Sequence, residues 1–311
     1  MSVTRSQLTG GPAYAAMNSQ NIQFAEDSTV ETGLVTDVIE TSLYGAIDEI
    51  YKDMIVKASG RPVYYDTAAL ATIFPYLAAA IGTVSPGSTD KTCAWNSSNG
   101  DVVTLTSALI GKMPDLELGV DGPVLGRMEI WGVIGNGDSP GTANSYYTLQ
   151  TGQSYSNPVV PGTAVLGRQE FTAAWGTIAG FTSFQAQEKW TISHELKLEP
   201  ITIQGRTRAF KLVSYRAMAK CKPLGPTMAQ IDAALYAQGS GAGGGYRLST
   251  NAANLVITGS NSMTVTLGNA ALKTAGYVFG GKPLRVGEVG WVSTLNVAGG
   301  GTPSTPALAL A

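Results

Sequence analysis

Charge is scarce in this chain. Asp, Glu, Lys and Arg make up 14% of its 311 residues, against about 25% in ordinary globular proteins. The 20 bases and 22 acids leave a net charge of −2, which excludes bulk electrostatic attraction to nucleic acid. Histidine occurs once and cysteine twice. Cys93 and Cys221 lie far apart with no C-x-x-C, so they cannot staple a fold of this size. They read as reduced, half-buried thiols of a protein assembled in the cytosol. A zinc site would need carboxylates to complete it, and no ligand spacing is visible. Long apolar runs are absent as well. The best, Ala68 to Ile81, is interrupted by Pro75 and falls short of the roughly 18 residues of a membrane span. The opening MSVTRSQLTGGPAYAAMN has one arginine and no apolar core, so no signal peptide is expected.

What is present is apolar and glycine-rich. Hydrophobic residues reach 44%, with 38 glycines, so the chain is neither disordered nor a coiled coil. This suits a β-rich protein much of whose surface other subunits cover. The length suggests about two domains. Charge is divided unevenly between them: residues 1–160 hold 16 acids and 7 bases, residues 161–311 hold 6 acids and 13 bases.

The chain matches itself at an offset of 160–162. Phe24 to Gly45 (FAEDSTVETGLVTDVIETSLYG) aligns without a gap to Phe184 to Gly205 (FQAQEKWTISHELKLEPITIQG). A strand-like stretch and a basic turn follow in each copy, ending at Pro62 and Pro223. A helix start comes next. Asp66 fits an N-cap ahead of Leu70 and Phe74, and Thr227 fits one ahead of Ile231 and Leu235, with Gln230 completing a capping box and Gly239 stopping the helix. Val103–Ala108 (VTLTSA) then aligns with Val265–Ala270 (VTLGNA), and both copies close with Pro, Glu and Trp: Pro123, Glu129, Trp131 and Pro283, Glu288, Trp291. The order of the matches and their steady offset point to a duplication; the alternative is two unrelated β-rich domains sharing common turn chemistry. The expected layout is an N-terminal arm over 1–21, a first unit over 22–134, a linker or arm over 135–169, a second unit over 170–298 and a flexible tail over 299–311.

Alternation identifies the strands. Val30, Thr32, Leu34, Thr36 and Val38 share one face, expected to be buried, as do Trp190, Ile192, His194, Leu196 and Leu198. The opposite face carries Glu31, Gly33, Val35, Asp37 and Ile39 in the first copy, and Thr191, Ser193, Glu195, Lys197 and Glu199 in the second. Further strands are expected near 48–57, 101–106, 126–134, 207–219, 254–258, 263–267 and 286–295. The fold class is therefore mainly β (α+β): two tandem units of antiparallel strands, each with one packed helix.

No catalytic centre emerges, so an enzyme is not expected. His194 sits on an apolar strand face with no nucleophile or carboxylate motif beside it. The run GSGAGGG (239–245) lacks the Lys and Ser/Thr of a phosphate loop and follows a helix instead of opening one. No cofactor is expected. Arg206, Arg208, Lys211, Arg216, Lys220 and Lys222 fall on one strand and its exit turn with only Phe210 and Tyr215 between them, which suits a solvated or subunit-facing basic edge better than a nucleic-acid platform.

The second unit, above all NAALKTAGYVFGGKPLRVGEVGW at 269–291, resembles the major tail proteins (tail tube proteins) of long-tailed bacteriophages. The first unit resembles them only through its match to the second. The resemblance implies β-sandwich-like units whose sheets join into a shared inner β-barrel, rings stacked into a hollow tail tube, and delivery of double-stranded DNA to the host without specific binding. A duplicated chain would form the ring from three copies with pseudo-sixfold symmetry. Implied partners are the chain itself, the tail terminator, the tail tip proteins and the tape measure protein. The implied location is the virion tail, assembled in the host cytoplasm with no membrane. On this reading Glu31, Asp37, Thr191, Ser193, Glu195 and Glu199 are candidates for the lumen. Arg206, Arg208, Lys211, Arg216 and Lys220 are candidates for a basic edge between units. The competing readings are a capsid decoration or collar protein, and a soluble carbohydrate-binding β-sandwich.

Overall fold

The computed structural model describes residues 13–25, 28–43, 45–64, 67–77, 79–87, 91–135, 146–154, 170–237, 252–260, 263–280, 282–293 and 308–310. The first half contains β1 (Ala13–Met17), β2 (Gln20–Phe24), β3 (Thr29–Thr41), β4 (Gly45–Gly60), β5 (Pro62–Tyr64), α1 (Thr67–Ile73), β6 (Val84–Ser85), β7 (Cys93–Ser97), β8 (Val102–Leu105), β9 (Ser107–Lys112), β10 (Leu116–Gly119), β11 (Gly122–Leu125), β12 (Met128–Val133) and β13 (Tyr147–Gln150). The second contains β14 (Phe171–Trp175), β15 (Phe184–Ala186), β16 (Lys189–Ile203), β17 (Arg206–Cys221), β18 (Pro223–Leu224), α2 (Met228–Ala237), β19 (Ala253–Gly259), β20 (Thr264–Gly280), β21 (Lys282–Ser293) and β22 (Leu308–Leu310). The protein is thus mainly β, with two short helices and three antiparallel sheets. Among the described residues no sheet closes into a barrel.

The two halves pair their strands in the same order. One sheet of the first half runs β8-β7-β1-β2-β5, and the second half runs β20-β19-β14-β15-β18. The other runs β3-β4-β12-β9, matched by β16-β17-β21-β20. Strand β20 does the work of two, pairing β19 through its first residues and β21 through the rest. In the first half Thr106 interrupts that path, leaving β8 and β9 in separate sheets.

Register irregularities repeat too. The β3–β4 hairpin leaves Lys52 and Ile47 unpaired as bulges, and the β16–β17 hairpin leaves Val213 and Arg208. Gly111 bulges from β9 and Lys273 from β20. Bulges bend and twist a strand at one defined position, so they mark structural equivalence more sharply than residue type does. They place β4 on β17 at an offset of 161 and β9 on β20 at 162. They also set β3 on β16 at 162, two residues from the ungapped alignment, which preserves the faces.

Local chemistry explains several elements. Gln204 and Gly205 both have positive φ, at 53° and 77°, the combination a two-residue hairpin turn requires. The capping box on α2 is formed: the Gln230 amide donates to Thr227 Oγ1 at 3.3 Å, and the Thr227 amide donates to Gln230 Oε1 at 2.8 Å. Asp66, Gly239 and the glycine run 239–245 lie outside the described residues.

The core is aromatic in the second half. Trp175, Trp190, Trp291, Phe181 and Phe184 are buried, and Trp291 meets the other four with ring centroids 5.7–6.0 Å apart. In the first half Phe24 stacks on Trp95 at 4.4 Å.

Three expectations about the ends and the linker change. Residues 13–21, read as an arm, belong to the β1–β2 hairpin, whose Ala13, Ala15, Met17 and Ile22 are core residues in the middle of a sheet. The tail read as flexible contributes β22, which pairs Leu308 with Leu267, and Leu308 is fully buried. Within the 135–169 segment, β13 adds to β8 at the edge of the first sheet, while 136–145 and 155–169 lie outside the described residues.

Candidate functional site

The features with functional potential lie where the halves meet. On the face of β4 opposite Val56 and Ala58, Asp53 is only 5% exposed. Its Oδ1 accepts from the Tyr146 hydroxyl at 2.8 Å and the Met54 amide at 2.9 Å, and its Oδ2 accepts from the Thr207 amide at 2.8 Å. Arg206 lies 4.3 Å from the Tyr51 ring centroid, and Arg208 donates to the Gly135 carbonyl. Burial, then Tyr51 and Asp53, push the Tyr146 phenol well above its ordinary range. A buried carboxylate is tolerable only with such donors around it. Beside it Phe210 of the second half packs on Trp131 at 5.1 Å, in a small cluster with Leu109 and Val133. Alternation gave no warning of this joint, because Asp53 is buried on the non-core face.

A second seam joins the halves through the backbone. The β10–β11 hairpin of the first half adds to the outer edge of β16, pairing Leu116 with Ile192, Glu117 with Thr191 and Leu118 with Trp190. Glu117 and Lys189 form an ion pair across it at 2.8 Å. Nearby, Phe74 from the end of α1 packs against His194 at 5.4 Å. His194 Nδ1 is 2.9 Å from the Tyr215 hydroxyl. Burial lowers the imidazole pKa to about 4, with the Pro114 carbonyl partly opposing, so the ring is neutral at pH 7. The sequence placed His194 on an apolar face; the structure adds that the other half of the chain is what covers it. On β17 a further first-half strand, β6, pairs with Phe210 and Lys211.

The equivalent face of β3 is bare. Leu34 is 63% exposed and Val38 51%, which corrects the expectation that the Val30–Val38 face is buried. Nothing in the described residues lies over the distal part of the β3–β4 hairpin, where Leu43, Ile47 and Ile50 are exposed as well. Among the described residues strand β3 is also an open sheet edge.

The two sets of charged candidates turn out to share a face. Glu195 lies directly opposite Arg216 and Glu199 opposite Lys211, and Glu195 and Arg216 approach to 3.7 Å. Glu31 faces Lys57 across the ladder, and Asp37 pairs with Lys52. Thr191 is opposite Lys220, which pairs with Glu288 at 3.5 Å, and Ser193 is opposite Met218. Residues directly opposite on an antiparallel pair point to the same side, so within each hairpin the acids and bases share one face; on β3–β4 that face also carries Asp53, opposite Val35 and beneath the start of β17. Of the basic candidates, Arg206 and Arg208 lie at the joint between halves.

Cys93 and Cys221 are free and buried. Among the described residues no group of three or more His, Cys, Asp or Glu is placed to hold a metal ion, and no helix is long and apolar enough to cross a membrane. No family model matches the chain, and no curated protein matches it.

Proposed function

We infer that the chain is a structural protein that assembles with copies of itself into stacked rings, the tube of a bacteriophage tail, through which double-stranded DNA reaches the host. The two halves are read as duplicated tube-type units, so that three chains make a ring of six. The observation carrying this is the way one half completes the other. Halves with the same pairing order and bulges are joined side by side by a hairpin from one entering the sheet of the next. Repeated around a ring, that joint would bring the long β3–β4 and β16–β17 hairpins into a shared barrel, an arrangement that leaves no open strand edges.

The uneven charge fits the same scheme. An acidic unit beside a basic one places unlike charge at every lateral boundary and disfavours like units meeting; the Glu117–Lys189 pair is one such contact within the chain. On this reading the surface carrying Glu31, Asp37, Thr191, Ser193, Glu195 and Glu199 lines the lumen. Every base that holds a phosphate slows a sliding duplex. Here Lys52, Lys57, Lys211 and Arg216 each have a carboxylate across the strand or beside them. The proposed role involves no catalysis and no cofactor. The partners are the terminator, tip and tape measure proteins of a tail.

Negative-stain electron microscopy of the purified protein tests the reading. Rings with threefold symmetry that stack into tubes are the expected result. Isolated rings or knobs without tubes would favour a collar or capsid decoration protein, and monomers at high concentration would favour a carbohydrate-binding module.

A further inference from the structure

The first half gives the second half two things that the first half itself lacks. Strand β10 pairs along the outer edge of β16, whereas the outer edge of β3 has no partner among the described residues. Phe74, only 3% exposed, closes over the apolar face of β16 at His194, whereas Leu34 on the same face of β3 is 63% exposed. The donors have counterparts in the second half, and these have no acceptor among the described residues. An offset of 161–162 carries Phe74 to the end of α2, at Leu235 and Tyr236, and Tyr236 is 75% exposed. It carries the β10–β11 hairpin to the β20–β21 tip, where Tyr277 pairs with Val286 and Val278 with Arg285. Val278 is 54% exposed, and Tyr277 donates to Asp232 of α2, tying the tip to the helix.

We propose that the open edge of β3 and the apolar face around Leu34 form a docking site for a second copy of this chain, which inserts its β20–β21 tip along Ser28–Val30 and lays the end of α2 over Leu34. The contact is head-to-tail: the second half of one chain docks on the first half of the next, as the first half docks on the second within each chain. Among the described residues the inner edge of β4 at Glu49 and Ile50 is a third unfilled position, equivalent to Phe210 and Lys211, which β6 occupies on β17. Exposed edges flanked by exposed apolar side chains are aggregation hazards unless a specific partner covers them. Because each copy presents one donor and one acceptor, the contact is heterologous and either closes a ring or runs on as a filament. The proposal rests on the duplication reading and not on the tube.

Cross-linking tests it. The β10–β16 register sets Glu117 opposite Thr191, which at the offset of 162 translates to Phe279 opposite Thr29 in the neighbouring chain, with Val278 one residue along and within reach of a short cross-linker. Thr29→Cys and Val278→Cys are made singly and together in the full-length protein, then treated with a short bis-maleimide. An equimolar mixture of the single variants should give a cross-linked dimer of one of each, and the double variant a ladder ending at a closed ring. Neither single variant should cross-link to itself. Dimers of Thr29→Cys alone would mean that β3 edges pair with each other, and would overturn the proposal. So would assembled protein without cross-links, or a failure to assemble at any concentration. In parallel, Tyr236→Glu should raise the concentration for half-assembly at least tenfold while leaving the circular dichroism spectrum unchanged; assembly at the wild-type concentration would count against the site. Tubes in micrographs without the Thr29–Val278 cross-link would leave the tail-tube reading standing and this one refuted. Cross-linked closed rings that never stack would do the reverse.

Discussion

Replacing Asp53 should loosen the two halves of the chain from each other. In Asp53→Ala the Thr207 amide, on a residue only 7% exposed, loses its acceptor, and the Tyr146 hydroxyl loses its 2.8 Å bond. Hydrogen bonds to a charged group are worth about 1.5–3 kcal/mol each, and an orphaned buried donor costs roughly 1–3 kcal/mol. Tyr146 keeps a weak contact with Tyr51, at 3.5 Å, and the Met54 amide bond is local to its own strand. Weighing these, the expected loss is about 4 kcal/mol. For a chain of 311 residues melting as one unit, with an unfolding entropy of about 2.1 cal/mol/K per residue, that lowers Tm by about 6 °C. Asp53→Asn keeps one acceptor oxygen and should lose about half as much. A double-mutant cycle with Tyr146→Phe should give a coupling of about 2 kcal/mol, since the two side chains share one bond to a charged group. Calorimetry gives the melting temperatures, and hydrogen exchange at the Thr207 amide reports the joint directly. An Asp53→Ala protein melting within 1 °C of wild type (about 0.7 kcal/mol), or an Asn variant worse than the Ala variant, would refute the reasoning.

Three further outcomes follow from the packing. Burial holds His194 at a pKa of about 4 against an unfolded value of 6.5, so the unfolded chain binds the extra proton first; His194 therefore contributes stability that is full above pH 6.5 and falls by about 1.4 kcal/mol per unit down to about pH 4. Denaturant titrations of wild type and His194→Gln between pH 7 and 4 should show the difference between them shrinking over that window; a constant difference would contradict it. Cys93 and Cys221 are 0% and 3% exposed, and burial pushes the Cys93 thiol up to about 12, so a thiol reagent should find no reactive cysteine in the native protein and two after unfolding. Gly111 lies flat under the Trp131 ring, where an added Cβ would come within 2.1 Å of it; Gly111→Ala should cost about 2 kcal/mol in denaturant unfolding, as overpacking does, and shift the tryptophan emission.

Much of the architecture is legible as local pattern. Alternation located β4, β12, β17, β19 and β21 to within a few residues, and Thr227 with Gln230 announces the start of α2. The β1–β2 hairpin was harder to see. Its core side is Ala13, Ala15 and Met17, small residues that carry little hydrophobic signal, and its turn uses Asn18 and Ser19, both with positive φ, in place of glycine. The joint around Asp53 left no pattern at all. A carboxylate on the outward face of a strand looks solvated until another element, here the start of β17, is laid over it.

By itself the sequence determined where most of the strands fall, which side chains share a face, and where a helix begins, because those depend on neighbours one to four positions away. It also carries a self-match at a steady offset of 160–162. What covers each face was decided only by the tertiary structure. Strands β3 and β16 alternate alike, yet β16 is sealed by β10 and Phe74 while β3 stands open with Leu34 and Val38 in solvent. The pairing of Glu195 with Arg216 and Glu199 with Lys211, which turns two charged patterns into one compensated surface, is likewise a matter of register between strands. Periodicity says that a side chain points one way; only the packing of distant segments puts something, or nothing, in front of it.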